Sequence, residues 1–150
     1  MYQLLLFVHI ACAVVWVGGA VYAQLLAIRV GRSEDPTELP RLGRHFEFIG
    51  QRVFVPAAVV LFLAGAGLTV MRWQFTQGWI AIAIGLWLVS ALAGSLYLGP
   101  RSKLAAELFE REGPTSVTGR RLLERLFFVS RLELVSFAVI IGLMVFKPGS

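Results

Sequence analysis

Three stretches of this chain carry no Lys, Arg, Asp or Glu: residues 3–28, 53–71 and 73–99. Each is predominantly apolar. Each is long enough, at 1.5 Å of rise per helical residue, to reach across a hydrocarbon core of roughly 30 Å. A segment in lipid must satisfy its own backbone N–H and C=O groups, and an α-helix does so without a partner strand. The three runs therefore predict three membrane-crossing helices. A fourth candidate, residues 126–146, is less uniform. Its clean apolar part covers only 134–146, too short to cross alone, and the longer run includes Arg131 and Glu133. Its Leu, Ile, Phe and Val side chains favour insertion by roughly 0.3–0.6 kcal/mol each, against roughly 2.5–3.5 kcal/mol for each central charge. Both charges lie toward one end, so insertion is expected, with the charges turned into the bundle. The sequence thus predicts an all-α integral membrane four-helix bundle, a single domain over residues 1–150.

Composition removes the soluble alternative. Hydrophobic residues make up 57% of the chain and charged residues 15%, against roughly 45–50% and 25% in ordinary soluble domains. A net charge of +5 would suggest nucleic-acid binding in a soluble chain. No zinc-finger spacing, glycine-rich phosphate loop or aromatic–basic platform accompanies it, and no nucleic-acid partner is expected. The placement of the charge is more informative. Of the 14 basic residues, all but Arg72 and Lys147 fall between the first and second runs or between the third and the edge of the fourth. The positive-inside bias puts these two connections in the cytoplasm and both termini outside. The expected location is a bacterial cytoplasmic (inner) membrane. The lipid bilayer is the expected partner, with a homo-oligomer or another membrane protein left open. The first run has no preceding Lys or Arg and exceeds the apolar centre of a signal peptide, so it reads as a retained helix. Tyr2, Trp73, Trp79 and Tyr97 fall where aromatic rings anchor helices at membrane interfaces.

The connections carry their own signals. Residues 31–43 hold Pro36 and Pro40 among charges and read as a loop. The second helix is expected to begin near Leu42, below the membrane. Pro56 must remove one backbone hydrogen bond within it. After Pro100 a short amphipathic helix is expected over 102–111, closed by Gly113-Pro114. Another helical run should begin near Thr118 and continue into the fourth span. Gly18, Gly19, Ala20 and Ala23, then Gly65 and Gly67, then Ser90 and Gly94 offer places where helices approach closely.

His9 leads the candidates for chemistry. Ionisable side chains within a membrane warrant a functional hypothesis, and a neutral imidazole binds heme iron or a metal through one nitrogen. Helical spacing puts His9, Cys12, Trp16, Gly19 and Ala23 on one broad face. A face of one imidazole, one large ring and then small residues can border a flat cofactor or form a helix interface. Cys12, the only cysteine, allows no intrachain disulfide and reads as a small apolar side chain. His9 with Cys12 offers two soft-metal ligands, too few to define a copper site. His45, the only other histidine, should lie at the cytoplasmic end of the second helix, most of a membrane thickness from His9. Arg52, Arg131 and Glu133 form a second polar group near the inner boundary. They are read as snorkelling to headgroups, pairing across helices, or holding lipid phosphate or heme propionates. No Ser-His-acid set, paired catalytic carboxylates or channel filter is visible.

The run from His9 through Trp16, Gly18 and Gly19 to Tyr22 resembles the first helix of the DUF2269 family of predicted integral membrane proteins. Arg52 to Pro56, followed by Gly65 and Gly67, adds to the likeness, which covers essentially the whole chain. The first helix is also distantly similar to the copper-resistance D domain and to HemJ-type protoporphyrinogen oxidase. The latter resemblance implies heme binding at His9. The expected function is a heme-associated redox protein with His9 as a metal ligand and His9, Arg52 and Arg131 around the cofactor. Heme b is expected ahead of copper. The alternatives are an accessory or packing subunit without cofactor, and copper or small-solute transport.

Overall fold

The computed structural model describes residues 1–33, 35 and 37–149. Four helices account for nearly all of them: α1 (Tyr2–Gly31), α2 (Glu38–Arg72), α3 (Gly78–Glu112) and α4 (Val117–Phe146). Each is long and apolar enough to cross a membrane, and the chain is a multi-pass integral membrane protein. Large apolar side chains such as Phe7, Leu63, Val89 and Val135 point outward, as expected where lipid rather than water surrounds the bundle.

The helices alternate in direction. The Arg72 guanidinium lies 4.6 Å from the centre of the Tyr2 ring, and the Lys147 ammonium 4.7 Å from that of Trp73. Both termini and the α2–α3 turn therefore share one end, called here the terminal end. Gly31, Ser33, Pro114 and Arg120 border a common cleft, so the other two connections share the opposite, basic end. The α1–α2 register is read from close approaches. A β-carbon on Gly67 would come within 3.2 Å of Leu5 Cδ1, one on Gly65 within 2.9 Å of His9 Cε1, and one on Gly19 would strike the Phe54 ring.

Two prolines shape the inner pair. Pro56 and Pro100 lack an N–H and would crowd the carbonyl four residues earlier. In each case the turn just before the proline is widened to π-helical geometry, over Gly50–Phe54 in α2 and Ala93–Leu98 in α3. The bond lost at Pro56 thus takes the form of a widened turn. The α3 helix runs through Pro100 to Glu112 instead of stopping there. The expected separate amphipathic helix over 102–111 is the continuation of α3. Its start also differs: residues 73–77 form the turn between α2 and α3, with Trp73 extended, and the third span begins at Gly78. The α2 helix starts at Glu38 rather than Leu42. Pro40 sits in its first turn, where no intrahelical N–H bond is lost. Pro36 lies outside the described residues.

The two π turns touch each other, and below them α2 and α3 pack tightly toward the basic end. Gly43 permits this: a β-carbon there would lie 2.6 Å from Ser102 O and 2.8 Å from Ala106 Cβ. Phe109 fills the centre of this end, packed with Leu39, Leu42, Leu122 and Leu126, and Gly119 gives its ring room. Positive-φ Gly113 ends α3. Ser116 caps α4 by accepting a hydrogen bond from Gly119 N at 3.0 Å. Above the π turns, toward the terminal end, close backbone packing between α2 and α3 becomes sparse. There Phe62 reaches across to stack on Trp87, with ring centres 4.5 Å apart.

Candidate functional site

The separation of α2 from α3 leaves a cavity of about 700 Å³ in the terminal half of the bundle. That lies within the range of pockets that enclose drug-sized ligands. All four tryptophans of the chain, Trp16, Trp73, Trp79 and Trp87, line it, together with His9. They come from two helices, α1 and α3, and from the α2–α3 turn. Trp16 packs on Phe137 with ring centres 4.7 Å apart, and Trp73 meets Trp79 edge-on at 5.5 Å.

His9 is fixed in this wall by a backbone contact. Its Nδ1 lies 3.0 Å from the carbonyl oxygen of Leu61 on α2. A carbonyl can only accept, so Nδ1 carries the proton in this bond. In the neutral ring, Nε2 then keeps its lone pair. A backbone carbonyl on the second nitrogen is how proteins orient histidines that bind metals through the first. Gly65 makes the approach possible, since any β-carbon there would collide with the imidazole. Thr69 sits one turn on and donates its hydroxyl to Gly65 O at 3.0 Å. The indole N–H groups of Trp79 and Trp87 are buried and have no hydrogen-bond partner. Lys147 is the one Lys, Arg, Asp or Glu among the lining residues.

The other sequence candidates lie elsewhere. Arg52 is in the π turn of α2, exposed, and roughly 13 Å along the helix from Leu61 at 1.5 Å per residue. Arg131 is exposed on α4, while Glu133 turns inward beside Gly94. Neither arginine lines the cavity, so His9 is not brought together with Arg52 or Arg131. Neither pairs with Glu133: among the described residues the ion pairs are Arg44–Glu110 at 2.6 Å and Lys103–Glu47 at 3.7 Å, both between α2 and α3 at the basic end. His45 is exposed at that end, roughly 24 Å along α2 from Leu61, so the two histidines are separate, as expected. Cys12 is absent from the cavity lining and packs beside the cluster of Trp16, Ala58, Leu61 and Phe137. Among the described residues no group of three or more His, Cys, Asp and Glu side chains could hold a metal ion.

The sequence reading missed Lys147 and the convergence of the tryptophans. The four indoles were visible as residues, but their meeting depends on how the helices are arranged. Lys147 had one signal, its position as one of only two basic residues outside the cytoplasmic connections.

A four-span helical bundle with an aromatic cavity inside its terminal half is the class of protein that this architecture defines. Residues 3–148 match the DUF2269 family, described as predicted integral membrane protein, and the chain belongs to that family. No curated protein and no solved structure gives a significant match.

Proposed function

We propose that this cavity holds heme b, with His9 as one axial ligand, and that the protein is a heme-associated redox component of the bacterial cytoplasmic membrane. The basic end faces the cytoplasm in this reading, and the termini face outward. The observation that carries it is the bond from His9 Nδ1 to Leu61 O, which leaves Nε2 as a potential ligand in an aromatic wall.

The donor set favours heme over a bare ion. A free copper or iron ion needs several protein ligands, and among the described residues the cavity wall has one imidazole, no carboxylate and no thiolate. A porphyrin brings four nitrogens of its own and asks the protein for an axial ligand and flat apolar walls. When bound, heme would supply one-electron chemistry. The chain's own contribution is then to hold the ring between indole and aliphatic surfaces, orient the ligand nitrogen and keep water out.

Protein purified in mild nonionic detergent from cells with ample heme supply should show a Soret band. His9→Ala should abolish most of it. Gly65→Val, which fills the space the imidazole occupies, should weaken it while His9 itself remains. A colourless wild-type protein, with no heme in its extracted pigment, would overturn the proposal.

A further inference from the structure

The terminal half of the molecule has an unusual charge pattern. All nine Asp and Glu residues fall within 34–47 and 107–133, toward the basic half. The terminal end has two basic side chains, Arg72 and Lys147, and no acidic one to balance them. Neither makes an ion pair among the described residues. Both are held over aromatic rings of the cavity lining, Arg72 over Tyr2 and Lys147 over Trp73.

Lys147 also has a costly backbone. It terminates α4 with φ 43° and ψ 59°, a left-handed cap that glycine occupies most readily. It is the one non-glycine residue with positive φ among those described. Residues kept in such conformations occur where the surroundings demand that placement. Here the left-handed turn accompanies an ammonium group at the edge of the cavity. Trp79, whose indole N–H is buried without a partner, packs edge-on against the same Trp73 ring. Two cations thus gather at one end of an apolar chamber, with His9 further in.

We infer that the cavity takes an acidic amphiphile, with its carboxylate groups at the terminal end against Lys147 and Arg72 and its apolar body extending toward His9. This rests on the cofactor reading and deepens it, because heme b carries two propionates. It also places the carboxylate-binding residues at the opposite end from Arg52 and Arg131. Lys147 is the principal anchor because it lines the cavity; Arg72 stands one residue from Trp73 and supplies the second charge.

Apoprotein in nonionic detergent is titrated with iron protoporphyrin IX and with its dimethyl ester, following the Soret band. Wild type should bind the diacid at least about 10-fold more tightly than the ester, the scale of one charge-assisted hydrogen bond. Lys147→Met should remove most of that preference by weakening the diacid alone, and Arg72→Met should reduce it further. Lys147→Gly, which suits the left-handed backbone, should behave like Lys147→Met even if the latter folds poorly. Lys147→Arg should retain the preference. Equal binding of diacid and ester by wild type would overturn the inference while leaving His9-dependent heme binding intact. So would equal losses for both ligands in Lys147→Gly. If neither porphyrin gives a His9-dependent band, the cofactor reading and this inference fall together.

Discussion

The two ends of this bundle are built from the same four helices and obey different rules. At the basic end, small residues draw α2 and α3 together, as at Gly43 against Ala106. Phe109 is 2% exposed in the core that results. Polar side chains there cap helices or form exposed ion pairs. At the terminal end backbone contact between the two helices is sparse, and indole rings line a cavity beside the packed cluster of Trp16, Ala58, Leu61 and Phe137. The π turns ahead of Pro56 and Pro100 sit at the boundary. One half thus resembles a soluble helical core on a membrane stem, and the other a container. A bundle can hold an internal cavity if enough tight packing elsewhere fixes the helix positions, since helix association in lipid depends on close van der Waals contact rather than on expelling water.

This division can be broken at chosen points. The largest effect should come from Phe109→Ala. Removing a fully buried ring costs about 3–5 kcal/mol where the surroundings cannot collapse, and the variant should unfold far earlier in a thermal or detergent-denaturation series. A truncation in the cavity wall, such as Trp87→Leu, should cost much less, because the ring already borders open space. Comparable losses from the two variants would refute the contrast.

A smaller and more selective effect is expected from the prolines. Pro56→Ala and Pro100→Ala restore a backbone donor and relieve the crowding that widens each turn. The π turns should tighten toward α geometry, with slower amide exchange at the residues just after the substituted positions. Porphyrin affinity should fall by a few-fold as α2 and α3 approach. Unchanged exchange and unchanged binding in the double variant would show that the helices diverge for another reason.

The smallest effect concerns the entry to α2. The Asp35 carboxylate accepts hydrogen bonds from the Thr37 backbone N–H and hydroxyl, both at 2.8 Å. These bonds, the backbone one first, hold its pKa below the usual value. The sign follows from linkage. A depressed folded-state pKa means the stabilisation is present above the unfolded value and fades as pH falls through the folded one. At neutral pH, Asp35→Ala should speed exchange of the Thr37 amide. The difference from wild type should shrink on acidification. A difference that grew on acidification would contradict the assignment.

Most of the fold was legible because hydrocarbon is an unforgiving solvent. Three uncharged runs and the placement of basic residues gave the span number, and Gly113-Pro114 marked the α3–α4 break. The fourth span held, with Glu133 turned inward as expected but Arg131 exposed. Pro100 misled. A proline is read as a helix end from local sterics, yet a helix surrounded by neighbours can widen one turn and continue. The candidate site was legible in part. His9 stands out in any reading as an imidazole within an apolar run. Arg52 and Arg131 were grouped with it as holders of heme propionates, although the same reading had set both near the inner boundary, away from His9.

What the sequence determined by itself was the number of crossings, their alternation and the remoteness of His9 from His45, since hydropathy and helical rise act along one chain segment at a time. Only the tertiary structure decided which residues share the cavity. The Gly65 approach sets His9 against Leu61, the divergence of α2 from α3 opens the space beside it, and the left-handed end of α4 brings Lys147 to Trp73. Each of these depends on the register and packing between helices, for which no single run of residues carries a code.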